Sequence, residues 1–304
     1  MFLTIGVIII DDIIKPDGSS KMAILGGGAT HAAMGMRVWS DQVGILAFYG
    51  NDFPNNLTAE LQSIFNLQGM LTKDVPTPRC WQIFEPDGHR HEIHRTDISD
   101  LESNLHKPED FPDIYQCIKG IHLHSAPENV PIWSDFLHAR KCVGNSGESE
   151  SPLILWEPWD PFCVPENLSK FCEFGSLVDV VSPNLREAKL MTGLQDPEDI
   201  ALCLLSKGIQ VLVIRMGADG SLVAVTGEEL VYIPAVPVEK IIDVTGAGNA
   251  YCGGYLVGYS ESGSHKEAGR YGAVAASFTL EQYGALYPVD NLRQRALNRL
   301  GSIE

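Results

Sequence analysis

Asp243-Val244-Thr245-Gly246-Ala247-Gly248-Asn249 is the densest run of chemically useful groups in the chain. An apolar stretch ends there, and a pattern of small residues follows through Tyr259. Gly246 and Gly248 let the backbone approach a ligand closely. In a helix that starts at this turn, the amides of Ala247, Gly248 and Asn249 are first-turn donors without intrahelical acceptors. They point along the positive end of the helix dipole. Such a turn receives phosphate. The plainer alternative is a strand–helix packing turn with no ligand. An acid, a hydroxyl and two glycines in so short a run favour the anion site.

Other groups sit where strands end or helices begin. Asn184 and Glu187 have the spacing of a capping box. Arg215 closes an apolar strand just before Met216-Gly217, so it either pairs with one of the many carboxylates or meets a phosphate. Trp156-Glu157-Pro158-Trp159-Asp160 falls at the C-terminal end of a strand, where open α/β sheets bind ligands. Glu157 is expected to face that site, and the two tryptophans either line it or pack. His89, His91 and His94 suggest a metal cluster. Strand periodicity puts the first two on one face and the third on the other, which predicts an exposed hairpin instead.

In chain order these segments resemble the ribokinase/PfkB-like carbohydrate kinases. Asp243–Asn249 resembles the C-terminal signature Asp-Thr-x-Gly-Ala-Gly-Asp. Gly6 through Asp11 is similar to a first strand ending in a substrate-binding aspartate, and Gly26-Gly27-Gly28-Ala29-Thr30-His31 to an early di-glycine motif. Gly50-Asn51-Asp52, Pro183-Asn184-Leu185-Arg186-Glu187 and Met216-Gly217-Ala218-Asp219-Gly220 match three further motifs in register. The resemblance implies ATP and Mg2+ as cofactors, with a monovalent cation as a further expectation, and a sugar, nucleoside or similar small molecule as substrate. It places Asp11, Gly26, Gly27, His31 and Asp243 on the substrate. Asn184, Glu187, Gly217, Gly220 and Thr245 fall on the nucleotide, with Glu187 reaching magnesium through water; Arg215 joins them as a phosphate contact on the strength of its charge, not of the resemblance. Gly246, Ala247 and Gly248 form the anion hole.

The resemblance departs at His31, where the family often has Asn, at Arg215, where it commonly has a small hydroxyl residue, and most consequentially at the end of the signature. The last signature residue is an aspartate that acts as general base, and here it is Asn249. A neutral amide does not take up a hydroxyl proton near pH 7, whereas the backbone anion hole does not depend on that side chain. Turnover is therefore expected to be slow and binding retained, unless Asp243, Glu157 or His31 substitutes. Asn249 is then a natural loss of catalysis, a variant with another base, a substitution made to trap substrate, or a local backbone cap. The corresponding functions are an alcohol-directed phosphotransferase, an inactive nucleotide- or sugar-binding scaffold, or a fold put to another reaction.

The elements that must position these groups alternate. Strands are expected at Leu3–Ile10, Val43–Phe48, Gly120–Leu123, Leu153–Trp156, Val178–Val181 and Val211–Arg215. Helices are expected at Thr30–Trp39, Leu57–Asn66, Ile132–Lys141, Asn184–Met191 and Pro197–Ser206. Continuous apolar strands interleaved with helices predict a mostly parallel sheet covered on both faces. Arg79–Arg95 breaks the alternation around Pro86-Asp87-Gly88 and reads as a hairpin flap. Gly144–Pro152 reads as a solvated loop. The expectation is one ribokinase-like α/β domain over 1–304, with lid elements at about 11–22 and 79–97 and a homodimer through the flap.

Composition narrows the partners. A net charge of −17 disfavours nucleic acid. The cysteines (Cys80, Cys117, Cys142, Cys163, Cys172, Cys203 and Cys252) are odd in number and scattered, without a Cys-x-x-Cys pair. That argues for a reducing, cytoplasmic setting. The apolar start Phe2–Ile10 lacks a basic leader and runs into Asp11-Asp12, so it reads as a buried strand rather than a signal segment. No run is long enough for a membrane span.

Overall fold

The computed structural model describes residues 1–87, 90–143 and 149–303. A nine-stranded sheet runs in the order Val231–Ile233, Ser221–Val225, Val211–Arg215, Val180–Val181, Leu153–Trp156, Gly120–Leu123, Phe2–Ile5, Val43–Gly50, Asn66–Lys73. Pairing is parallel from Val211–Arg215 through to Asn66–Lys73, and the two strands at the other edge are antiparallel. The inner parallel strands are buried on both faces because alternate residues enter different cores. Val211 and Val213 join one apolar cluster, and Leu212 and Ile214 join the other. Helices Gly28–Arg37, Ala247–Ser262 and His265–Thr279 cover the first face. Helices Val130–His138, Leu168–Gly175, Leu185–Thr192 and Pro197–Leu205 cover the second. This is the mostly parallel, two-sided α/β architecture that the alternation predicts.

A second sheet of four strands runs Ser20–Gly26, Ile9–Ile14, Arg79–Phe84, Arg90–His94. The expected hairpin is present: Arg79–Phe84 and Arg90–His94 pair antiparallel, Cys80 opposite His94 and Gln82 opposite Glu92. Gly88 and His89 of its turn, and most of the Gly144–Pro152 loop, lie outside the described residues.

Two expectations are corrected. The apolar run Leu3–Ile10 is not one strand. Phe2–Ile5 belongs to the large sheet and Ile9–Ile14 to the small one, with the chain changing sheets at Gly6–Ile8. Hydrophobicity stays high because both halves are buried, so pattern alone could not mark the break. The helix expected to run to Asn66 ends at Ile64, and Asn66–Lys73 pairs parallel with Val43–Gly50 as an edge strand. Its polar alternation suits a half-buried edge.

Helix Ala247–Ser262 is held at backbone distance by its neighbours. A methyl on Gly35 would come 2.0 Å from the Ala250 carbonyl oxygen, one on Gly253 2.0 Å from that of Ala32, and one on Gly254 2.7 Å from that of Tyr271. The small-residue pattern that marked this segment is thus a packing surface as well as a helix start.

Candidate active site

Parallel strands bring their C-terminal ends to one edge of the sheet. His124, Glu157, Ser182 and Arg215 all lie there, at or just beyond the ends of their strands, and the helix starting at Ala247 reaches the same edge. Gly246 adopts φ +76°, the left-handed turn that opens this helix. The Ala247 amide, expected to be unpaired, donates to Val244 O at 3.3 Å, because the tight turn brings that carbonyl back beneath it. The amides of Gly248 and Asn249 have no acceptor among the described residues. These two are the free first-turn donors.

Under the turn lies a buried charged network. Glu157 Oε1 pairs with Arg215 Nη1 at 2.6 Å. Glu157 Oε2 meets His122 Nε2 at 2.8 Å and accepts from Asn249 Nδ2 at 2.8 Å. His122 Nδ1 reaches Thr4 Oγ1 at 3.0 Å. Arg215 also donates to Ser182 O at 2.8 Å and stands 4.0 Å from Glu187 Oε2. Burial opposes the charge on Glu157, but Arg215 and the His122 hydrogen bond prevail and hold its carboxyl far below the usual carboxylate range. Arg215 stays charged: burial works against it, and the Glu157 carboxylate raises its pKa despite that. A Cβ on Gly248 would lie 2.0 Å from Arg215 Nη1, so a larger residue would push the guanidinium from its place.

Asn184 and Glu187 form a complete capping box, with Asn184 N donating to Glu187 Oε2 at 2.7 Å and Glu187 N to Asn184 Oδ1 at 2.9 Å. Glu187 Oε1 has no protein partner among the described residues, so the box leaves one oxygen for a water-mediated cation. Burial pushes this carboxyl up to about 7, against Arg215 and the Asn184 amide. Gly217 and Gly220 follow Arg215 in a short turn with φ +63° and +84°.

Across from the turn, Asp11 is buried and accepts from Gln82 Nε2 at 3.0 Å. Gly26 pairs beside it, and a Cβ there would meet Asp11 Oδ2 at 1.9 Å. Gly27, at φ +89°, precedes helix Gly28–Arg37. His31 on that helix lies against Gly246, where a Cβ would come 2.0 Å from its ring. Asp243 Oδ1 accepts from Thr245 N and Thr245 Oγ1 at 3.1 and 2.9 Å. Both ring nitrogens of His31, Asp243 Oδ2, Gln82 Oε1 and His124 Nδ1 are buried without a partner. Unpaired buried polar atoms are costly, and this set points to a polar ligand.

Asp12 beside Asp11 is buried within the small sheet and held by Arg95 and the Ala23 amide. Of the described hairpin histidines, His91 lies 3.7 Å from Glu85, and His94 Nδ1 lies 3.2 Å from Cys80 Sγ, in a group with Glu92 rather than with another histidine. His89 is outside the described residues. The sequence reading passed over His122 and His124. Their signal was available: two histidines at period two in a strand otherwise buried on both faces.

The sequence profile of the pfkB family carbohydrate kinases matches residues 6–292. The chain belongs to this family. Cytidine kinase of Thermococcus kodakarensis is 28% identical over 93% of this chain and 96% of the relative. An uncharacterized protein of Schizosaccharomyces pombe is 27% identical over 93% and 85%. Among solved structures, adenosine kinase from Sinorhizobium meliloti superposes with TM-score 0.77 at 23% identity over 98% of each chain. Arabidopsis thaliana ribokinase, solved with ribose and ATP, superposes with TM-score 0.72 at 18% identity over 98% of each chain. The fold is ribokinase-like. No helix among the described residues is long and apolar enough to cross a membrane.

In this family member the signature turn is sensitive to one methyl group. Gly246→Ala combines a positive φ with a contact on His31. It is expected to cost about 1–3 kcal/mol and to abolish the thermal shift given by ATP. Denaturant titration and a melting series with ATP measure the two effects.

Burial pushes the Asp11 carboxyl up to about 7, with its Gln82 hydrogen bond acting in the opposite direction. The unfolded chain releases this proton near the ordinary carboxylate value, so the group's contribution to stability falls as pH rises from about 4 to 7. Above 7 the folded protein carries the full cost of a buried charge. Asp11→Asn keeps the Gln82 acceptor and removes that charge. It is expected to stabilise the protein on the order of 2 kcal/mol at pH 8, with little effect at pH 4. Melting curves at the two pH values read this directly.

Proposed function

We propose that this chain is an ATP-dependent kinase for an alcohol group of a sugar, nucleoside or related small metabolite, with slow turnover imposed by Asn249. The observation that carries this reading is the turn Gly246–Asn249, whose Gly248 and Asn249 amides are free and which packs against His31, a residue that like Asp243 and Gln82 has buried polar atoms without a partner. Phosphoryl transfer depends mainly on positioning and on charge stabilisation, which backbone amides supply without a base.

In this reading the γ-phosphoryl group lies on those amides. Arg215 contributes positive charge beneath them, and Asn184, Thr245, Gly217 and Gly220 shape the nucleotide side. Asp11, Gly26, Gly27, His31 and Asp243 bind substrate hydroxyls. The free oxygen of Glu187 fits a magnesium ion through water, which would neutralise phosphate oxygens. The four-stranded sheet acts as a lid within one domain, and its exposed Trp81 and Ile93 offer a surface for a second copy. Six cysteines are unpaired among the described residues, which suits a reducing compartment.

A coupled assay for ADP release across a panel of sugars and nucleosides tests the kinase reading. The expected result is slow, substrate-dependent ADP formation. A thermal shift with ATP or sugar but no ADP, even from Asn249→Asp, would make the chain a binding protein. The relatives named as cytidine, adenosine and ribose kinases define the first compounds of that panel.

A further inference from the structure

An alcohol that attacks phosphorus must lose a proton, and Asn249 does not accept it. The neighbouring carboxylate is committed: Arg215 occupies Glu157 Oε1, and His122 and Asn249 share Oε2. His122 is used at both nitrogens, by Glu157 and Thr4. His31 lies against Gly246, at the opening of the turn, and Asp243 Oδ1 is tied to Thr245. His31 and Asp243 Oδ2 also lack partners, but of these groups His124 is the one that meets the Asn249 amide over a common point. His124 follows strand Gly120–Leu123, two residues beyond His122 on the same face, and its ring stacks on His122 with centroids 6.0 Å apart. Its Nδ1 is shielded from solvent and has no partner. The point that a Gly28 Cβ would occupy is 2.4 Å from His124 Nδ1 and 3.1 Å from Asn249 Nδ2, so both side chains converge above Gly28. Burial holds the imidazole down at about 4, and its lone pair is therefore unprotonated near neutrality.

We propose that His124 Nδ1 is the proton acceptor of this kinase, taking the role that an aspartate at position 249 would otherwise fill. The proposal rests on the kinase reading above. The substrate hydroxyl oxygen forms a bond to the γ-phosphorus of ATP, and the bond from that phosphorus to the β,γ-bridging oxygen breaks. The electron pair leaves with ADP, and the hydroxyl proton passes to Nδ1, which requires the ring tautomer protonated on Nε2. Asn249, its amide group donating to Glu157, turns its carbonyl oxygen to the hydroxyl and orients it. The Glu157 carboxylate stabilises the imidazolium so formed.

Four proteins test this: the chain itself, His124→Gln, Asn249→Asp, and the double variant. Each is assayed for kcat with the best substrate of the panel and for its thermal shift with ATP. His124→Gln is expected to lower kcat by about 10²-fold while keeping the ATP shift. In the Asn249→Asp background, where a carboxylate competes for the proton, the loss from His124→Gln should be at least about tenfold smaller. Equal losses in both backgrounds would overturn the assignment and leave His124 a positioning residue. Undiminished kcat in His124→Gln would also overturn it. Absence of ADP from all four proteins would sink the kinase reading and the assignment with it. If His124→Gln does not fold, His124→Phe keeps the ring and supports the same comparison.

Discussion

Replacing Asn249 by aspartate is expected to raise kcat for ADP formation by about 10²-fold, towards the lower end of what a positioned base supplies, because His124 already takes part of the load. The structure adds a condition. Asn249 Nδ2 donates to Glu157 Oε2 at 2.8 Å, and an aspartate there would set two carboxylates side by side. Like charges at that distance do not both ionise freely, so one of the pair binds a proton. Arg215 and His122 already hold Glu157 ionised, which leaves the new aspartate with the raised value. The gain should therefore be small near pH 6 and grow towards pH 9. Measured kcat across that range checks it, and a rate unchanged at every pH would remove position 249 from proton transfer.

The largest expected loss of stability is at Arg215. Its guanidinium is buried against Glu157, donates to Ser182 O and stands beside Glu187. Arg215→Met would leave Glu157 uncompensated, and breaking a buried pair from one side costs about 3–5 kcal/mol. For a chain of this size that is a fall in Tm on the order of 10 °C. Arg215→Lys keeps the charge but cannot reach both Glu157 and Ser182 with one fork, so it should fall between the two. Thermal and denaturant melts of the three proteins decide it. A loss below about 1 kcal/mol for Arg215→Met would mean that water, not this residue, compensates the carboxylates.

Much of this site could be read from local spacing. Gly246, Gly248 and Asn249 lie within one turn, and Asn184 and Glu187 within another, so their relation is fixed by a few dihedral angles. Arg215 and Glu157 each mark the end of an apolar strand, and only the sheet order shows that they meet. Strand order depends on long-range pairing, which residue pattern does not carry. The same limit hid the break at Gly6–Ile8, since burial in either sheet asks for the same apolar residues. It also hid Ser20–Gly26, whose mostly exposed sequence does not alternate, and the antiparallel edge Ser221–Val225 and Val231–Ile233, which no helix separates. His122 and His124 needed coordinates for a different reason. A histidine in a buried strand is ordinary until its partners are known.

The contact of helix Ala247–Ser262 with its neighbours has a consequence for variation far from the cleft. Gly253 sits more than a full helical turn past Asn249, and the atoms nearest to a Cβ placed there are backbone of Ala32 and Met36. A single carbon added there cannot be absorbed by rotating a side chain, because the opposing surface is main chain. The whole helix must slide, carrying with it the two amides at its tip. The reach of those donors is thus set by a seam of bare backbone on the far side of the rod, and a change in that seam would be felt as altered nucleotide affinity by a protein whose ligand-contacting residues were all intact.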